Sequence, residues 1–285
     1  MFSYFVKEVC AGQEILRPTQ LARNGWGVGR IRGPAVTGVL ARAAERAVQT
    51  RADLGPVRAT FELFSPARME TSTTTSTIVR ESRRLLLVDT ELIQASRVVA
   101  RAHILYLAGS AANPRGALWA PSCPPPAPPP AELRPCTGER RLYYSDGVGW
   151  TSSRTAHLNP ARKQVWQLPI PVVLGEPLSA FQAAASAADL ANLILSWGSA
   201  GIEYINADVT MAISRPPVGS GVGLSSIDRV ARNGIAVGSA ILFDANGSFG
   251  SATVSTLANF PPPEEQVAQL SDARRVDHRD CPQLG

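Results

Sequence analysis

One carboxylate in the sequence, Asp189, lies where a buried base could act on a water molecule. It belongs to a helix-forming stretch, and its neighbours four residues away on either side are Ala185 and Leu193. The carboxylate therefore lies on or beside an apolar stripe of the predicted helix. Burial of an unpaired carboxylate is costly, and the usual outcome is a raised pKa or a dedicated hydrogen-bond partner. Either outcome suits a base that handles water, whereas the alternative interpretation is a solvated aspartate at the helix edge.

Asn206 is the second candidate, at the start of a predicted strand. An amide side chain has both donors and an acceptor, so a buried asparagine could hold a water molecule and a carbonyl oxygen together. The alternative is an asparagine exposed to solvent at the strand start.

The motifs of several other enzyme classes are absent from the sequence. No G-x-S-x-G motif is present, so a serine mechanism of the α/β-hydrolase type is not supported. The glycines of residues 24–29 (NGWGVG) follow no evident buried strand and precede no GKS or GKT, which favours a loop that shapes the start of a helix. We expect no metal site and unpaired thiols, because metal-type spacing is lacking among His103, His157, His278, Cys10, Cys123, Cys136 and Cys281.

Composition predicts a globular protein with no nucleic-acid partner. Of 285 residues, 45% are hydrophobic and 18% are charged, and the net charge is +5. A mild positive field would attract anionic ligands, but the arginines are dispersed and form no basic helix. No apolar run reaches about 18 residues and the start of the chain is unlike a signal peptide, so we expect no membrane span and a cytoplasmic location.

The chain contains an internal repeat. Residues 56–107 align without a gap on residues 206–257, at an offset of 150, and Thr60 meets Thr210. A period found once, at about half the chain length, indicates a duplicated domain. Asp189 and Asn206 map onto the apolar residues Val39 and Pro56, so we expect one site per chain, in the second half.

Hydrophobic spacing predicts one helix followed by four antiparallel strands in each half. In the first half these are a helix over 34–49 and strands over 57–63, 70–79, 85–94 and 98–107. In the second half they are a helix over 178–197 and strands over 203–213, 221–230, 235–244 and 248–257.

One long helix wrapped by an antiparallel sheet, twice, predicts an α+β fold of the tandem (double) hot-dog type. The predicted organisation is an N-terminal hot-dog over 1–109, a Pro-rich linker over 110–137, a C-terminal hot-dog with the site over 138–260, and a disordered tail over 261–285. The linker contains a proline run at 124–130, which favours an extended spacer.

Several motifs support a family resemblance over roughly residues 1–108 and 140–259. Residues 24–34 (NGWGVGRIRGP), followed by 35–41 (AVTGVLA), resemble the start of the first helix in acyl-CoA thioesterase II-like double hot-dog proteins. Four further motifs resemble the C-terminal half of that family: residues 165–169 (VWQLP), 188–191 (ADLA), 205–208 (INAD) and 215–217 (RPP).

The resemblance implies hydrolysis of acyl-CoA thioesters to free fatty acid and CoA, with no cofactor and with a homo-oligomeric assembly. It implies that Asp189 and Asn206 orient the nucleophilic water, and that a third polar residue lies on the last strand. The family commonly has glutamine there, whereas this chain has Ser255, whose repeat counterpart is Leu105. Thr253 is expected on the same strand face as Ser255 and is a supporting candidate.

Two alternative functions remain at this point. A hot-dog hydratase would pair an aspartate with a nearby histidine, but no histidine lies between His157 and His278. A non-catalytic acyl-CoA or lipid-binding protein with a degenerate site is the second alternative, and Ser255 is its main support. The acyl chain length is not specified, because Leu193, Ile194 and Trp197 could line an acyl tunnel or belong to the core.

Overall fold

The computed structural model describes residues 2–25, 29–110, 116–117, 126–134 and 141–259. Its helices are α1 (Gly33–Ala47), α2 (Ala180–Ala188) and α3 (Leu190–Ser196). Its strands are β1 (Phe5–Cys10), β2 (Gln13–Pro18), β3 (Leu54–Glu62), β4 (Thr73–Glu81), β5 (Leu85–Gln94), β6 (Arg97–Ala108), β7 (Arg141–Ser145), β8 (Gly149–Thr151), β9 (Lys163–Gln167), β10 (Trp197–Gly198), β11 (Gly201–Ile202), β12 (Tyr204–Asn206), β13 (Asp208–Ile213), β14 (Val222–Arg232), β15 (Ile235–Asp244) and β16 (Gly247–Ala258).

Twelve of these strands form one antiparallel sheet that runs through both halves of the chain. Its order is β4-β5-β6-β3-β13-β16-β15-β14-β9-β7-β8, and β12 pairs with β16. The halves meet edge to edge where β3 pairs with β13, which removes two sheet edges that would otherwise be open to pairing. A large antiparallel sheet with few helices confirms the predicted α+β class.

The strand registers repeat along with the sequence. Leu85 pairs with Leu107, and 150 residues later Ile235 pairs with Leu257. Even the bulge after Leu92 recurs after Leu242. At the junction of the halves Thr60 pairs with Thr210, and the Oγ1 atoms of these repeat-equivalent residues lie 3.1 Å apart. The two halves are therefore related by a local pseudo-two-fold axis that passes between the two threonines.

The core lies between the helices and one face of the sheet, since alternate residues of the strands are buried there. Helix α1 begins at Gly33 with Pro34 in its first turn, where a missing N–H costs nothing. It runs antiparallel to α2, and the helices approach closely where Gly38 meets Ser186: a Cβ atom at position 38 would lie 2.5 Å from the Ser186 Oγ.

A buried cation joins distant segments to α1. Arg42 is 2% exposed, and its guanidinium binds Glu14 at 2.7 Å and Glu176 at 2.6 Å. Glu14 belongs to β2 and Glu176 precedes α2, so the pair of carboxylates fixes both segments onto the helix. Hydrogen bonding to Arg42 is the main reason why the pKa of Glu176 falls to about 2.

Two predicted elements are each interrupted. The predicted helix over 178–197 is two helices, because Asp189 separates α2 from α3 and Trp197 already belongs to the short strand β10. The predicted strand over 203–213 is also two strands, which break at Ala207. Helical and strand periodicity continue through a one-residue interruption, so the sequence pattern did not reveal either break.

The predicted linker is described only at residues 110, 116–117 and 126–134, and the predicted tail lies outside the described residues. The bounds of the four predicted segments therefore stay predictions. Within the described ranges, none of the helices has the length and apolar character that crossing a membrane requires. In the same ranges, no group of three or more histidine, cysteine or acidic residues is arranged to hold a metal ion.

Candidate active site

Asp189 occupies the junction between α2 and α3 and hydrogen-bonds the second predicted site residue. Its backbone angles stay helical (φ −62°, ψ −24°), but its side chain makes no capping hydrogen bond to α3. The side chain instead accepts a hydrogen bond at its Oδ1 from the Asn206 Nδ2, at 3.0 Å. The structure therefore brings together Asp189 and Asn206, which are 17 residues apart in sequence.

The surroundings of Asp189 favour its neutral form. Burial raises the pKa of this carboxyl group, while the hydrogen bond from Asn206 and the charge of Arg141 act in the opposite direction. Part of the residue is still accessible to solvent. A carboxylate with a raised pKa and access to water has the properties expected of a general base.

The Asp189 carboxyl group also lies against the first residue of α1, which belongs to the other half of the chain. A Cβ atom at Gly33 would overlap the Asp189 Cγ and both carboxyl oxygens. The first N–H groups of a helix have no intrahelical acceptor, and this end of the helix dipole is positive. The candidate site is therefore built from both halves: the carboxylate comes from the second half and the helix N-terminus from the first.

The break between β12 and β13 fixes the position of Asn206. Asn206 is the last residue of β12 and pairs with Thr256 on β16. After the break, the Asp208 Oδ1 accepts a hydrogen bond from the Ser255 backbone N–H at 2.7 Å. The Ala207 N–H donates to the Ser255 carbonyl at 2.9 Å. These bonds hold the irregular segment in place beside Asp189.

Ser255 and Thr253 lie on the opposite face of β16 from the core. Val254 and Thr256 are buried, whereas Ser255 is half-buried and Thr253 is exposed. Ser255 and Thr253 thus share one strand face, as the alternation predicts. In the part of the chain that the structure describes, no hydrogen bond joins either hydroxyl group to Asp189 or Asn206. Their roles stay predictions, and only the Asp189–Asn206 pair is assembled.

The sequence reasoning missed Gly33 and Arg141. Gly33 was part of a quoted motif, but a contact between residues 33 and 189 has no signal in a single sequence. Arg141 begins β7, and its Nε donates to the Gln167 Oε1 at 3.1 Å. Its positive charge lowers the pKa of Asp189, so Arg141 acts electrostatically on this carboxyl group.

A second partly buried carboxylate, Glu45, lies at the opposite end of the antiparallel helix pair. The Ser179 Oγ donates to its Oε1 and the Gln182 Nε2 donates to its Oε2, both at 2.7 Å. Burial raises the pKa of Glu45 despite these two hydrogen bonds. Ser179 also accepts from the Gln182 N–H as the N-cap of α2, so Glu45 anchors the start of that helix.

A surface cavity of about 350 Å³ lies beside this second carboxylate, lined by residues such as Leu178, Ser179 and Ala183. It lies at the start of α2, whereas Asp189 follows the end of that helix. None of the predicted site residues lines it, so we do not assign the chemistry to this cavity.

The packing around Trp197 supports a place for this residue in the core rather than in the wall of an acyl tunnel. Trp197 is 5% exposed, and its ring meets Tyr143 edge-on at 5.2 Å and His157 at 5.8 Å between centroids. Ile194 is also buried, and Leu193 packs partly buried against the core.

Comparison with known proteins agrees with this arrangement of two halves. Residues 22–107 match the family model of the acyl-CoA thioesterase N-terminal domain, and residues 120–253 match that of the C-terminal domain. No curated protein matches the chain at a significant level.

Solved structures similar to the chain share its fold over nearly their whole length. The tesB protein of Mycobacterium avium subspecies paratuberculosis is 18% identical with a TM-score of 0.62, over 90% of this chain and 96% of that one. Acyl-CoA thioesterase II TesB2 of Mycobacterium marinum is 16% identical with a TM-score of 0.56, over 90% and 96%. A conserved protein of Alicyclobacillus acidocaldarius with a hot-dog fold is 13% identical with a TM-score of 0.63, over 90% and 97%.

Proposed function

The chain belongs to the acyl-CoA thioesterase family, a family of thioester hydrolases; we propose that it hydrolyses acyl-CoA to a free fatty acid and CoA with a water molecule activated by Asp189. The observation that carries this proposal is the hydrogen-bonded pair of Asp189 and Asn206 at the N-terminus of α1. Asp189 supplies a base, Asn206 an amide and α1 the positive end of a helix dipole, all at one place.

In the proposed reaction, Asp189 accepts a proton from water as the water oxygen attacks the thioester carbonyl carbon. The carbonyl π electrons move onto oxygen and form a tetrahedral oxyanion. The oxyanion then collapses, the carbon–sulfur bond breaks, and the proton held by Asp189 passes to the CoA thiolate. One water molecule is consumed, and the products are a carboxylic acid and a thiol.

Asn206 and α1 have separate parts in this scheme. The Asn206 Nδ2 already donates to the Asp189 Oδ1, which leaves the second carboxyl oxygen to accept the proton of the water. The carbonyl oxygen of the same amide can accept a hydrogen bond from that water. The positive end of the α1 dipole, at Gly33, stabilises the negative charge that develops on the thioester oxygen.

We also propose the finer layout as two hot-dog domains in tandem with a single catalytic centre at their junction. The repeated registers and the β3–β13 pairing support it. The same proposal includes the predicted domain boundaries, which come from the repeat and the Pro-rich segment. It also includes a homo-oligomer, which the family resemblance implies, and the cytoplasmic location expected from the sequence. We propose that Ser255 contributes little to turnover, because its side chain lies on the face of β16 that points away from the core.

The test is thiol release from a panel of acyl-CoA substrates by the wild type and by Asp189→Asn. Loss of a general base predicts a fall in turnover of about 10²–10⁴-fold. Unchanged turnover in the folded variant would remove Asp189 as the base. A wild type that binds acyl-CoA without releasing thiol would instead support the non-catalytic alternative.

A folding control for Asp189→Asn follows from the sign of its pKa shift. Since the folded-state pKa is raised, the ionised carboxylate costs stability that grows as the pH rises from the unfolded value through the folded one. A neutral amide removes this cost, so the melting temperature of the variant at neutral pH should be no lower than that of the wild type.

A further inference from the structure

The contact between Gly33 and Asp189 is unusually close for two residues from different halves of the chain. The Asp189 carboxyl group lies over the Gly33 Cα, and a Cβ atom there would overlap three atoms of that group. A methyl group at this position and the carboxyl group in its present place are mutually exclusive.

The backbone does not require glycine at position 33. Gly33 is the first residue of α1, and its φ lies outside the left-handed region that favours glycine. Alanine is the better helix former at an ordinary helical position. What excludes alanine is therefore the side chain of Asp189 and not the local conformation.

We propose that Gly33 is a positioning residue for thioester hydrolysis: its missing side chain seats the Asp189 carboxyl group against the N-terminus of α1. The inference rests on the proposed function and extends it. With this seat and the hydrogen bond from Asn206, the carboxyl group is fixed from two sides by the two halves. A side chain at position 33 would push the carboxyl group away from both the helix N-terminus and its amide partner.

Gly38, five residues further along α1, provides a matched control. A Cβ atom there would lie 2.5 Å from the Ser186 Oγ and 3.1 Å from the Val172 Cγ2, without contact to Asp189. Gly38→Ala therefore disturbs the packing of α1 against α2 and leaves the carboxyl group alone. A purely structural role of Gly33 would make Gly33→Ala and Gly38→Ala behave alike.

The activity experiment compares kcat, KM and the pH profile of Gly33→Ala, Gly38→Ala and Asp189→Asn with the wild type. A misplacement of about 1 Å can cost roughly 10²-fold in rate, so kcat of Gly33→Ala should fall by about that factor while KM changes little. Displacement changes both the hydrogen bonding and the solvation of the carboxyl group, so the acid limb of the kcat profile should shift in Gly33→Ala and stay in place in Gly38→Ala. Equal kcat and equal pH profiles for the two alanine variants would overturn the inference.

A stability cycle tests the same contact without any activity measurement. Gly33→Ala should lower the melting temperature of the wild type, but should leave it unchanged or raise it in an Asp189→Ala background, which lacks the overlapping atoms. An equal fall in melting temperature in both backgrounds would contradict a specific contact between position 33 and the Asp189 carboxyl group. If Asp189→Asn keeps full turnover, the proposed function fails; if only Gly33→Ala keeps full turnover, this inference fails alone.

Discussion

The two ends of the α1–α2 helix pair each place a partly buried carboxylate near the N-terminus of the opposite helix, but the hydrogen bonds to the two carboxylates differ. At one end, Glu45 of α1 has a hydrogen-bond donor on each of its two oxygens. At the other end, Asp189 receives one side-chain hydrogen bond, on Oδ1, among the described residues. The saturated carboxylate fixes a helix start, whereas the incompletely bonded one retains capacity to take up a proton from water.

The repeat alone does not explain this difference. The repeat counterparts of Asp189 and Glu45 are Val39 and Leu195, so neither carboxylate replaces the other. Each half instead has its own acidic residue at a different helical position, and the antiparallel packing places one at each end. Both carboxyl groups have a raised pKa caused by burial, so that property alone does not identify a base. The number of hydrogen bonds that each carboxyl group accepts distinguishes the two.

Beyond Asp189 itself, the largest effect that sharpens this comparison is expected at its amide partner, Asn206. Asn206→Ala removes the donor to Oδ1 and the proposed acceptor for water, so we expect turnover to fall by about 10–10²-fold. Initial rates of thiol release at saturating acyl-CoA measure it. Asn192→Ala, which changes an amide on the neighbouring helix α3, is the control and should stay within about threefold. Equal losses in both variants would contradict a specific role for Asn206.

A smaller effect, on stability rather than turnover, is expected at the other end of the helix pair. Glu45→Ala leaves the hydroxyl of Ser179 and the amide of Gln182 without their acceptor, which should cost about 1–3 kcal/mol in the free energy of unfolding. Urea unfolding measures the cost, and kcat of the folded variant should change by less than about threefold. A large loss of kcat at unchanged stability would mean that Glu45, too, takes part in the chemistry.

The smallest effect is expected at Ser255. Its side chain lies on the strand face away from the core, so Ser255→Ala should change kcat by less than about twofold. The same rate measurement checks this, with Thr253→Ala in parallel. A tenfold loss in Ser255→Ala alone would restore Ser255 to the site and would require a rearrangement of β16 when substrate binds.

The sequence predicted the sheet better than the site. The strands at 85–94 and 235–244 have the predicted bounds, because β-branched alternation and turn residues at both ends define them locally. Asp189 and Asn206 were predicted from the apolar stripe around Asp189, from the apolar residues at their repeat positions and from the family resemblance. The structure brings the two side chains into hydrogen-bond contact. The contact between Gly33 and Asp189 and the hydrogen bonds of Glu45 were not predicted, because they depend on how two helices from distant segments pack.

The most direct measurement of the central claim is the turnover of Asp189→Asn beside that of Glu45→Gln, each at saturating acyl-CoA and neutral pH. Both variants replace a partly buried carboxylate with a raised pKa by an amide of nearly the same volume, at opposite ends of one helix pair. If Asp189 is the base, its variant loses about 10²–10⁴-fold in kcat while Glu45→Gln stays near the wild type. Retained turnover in Asp189→Asn, or an equal loss in both variants, would contradict the account.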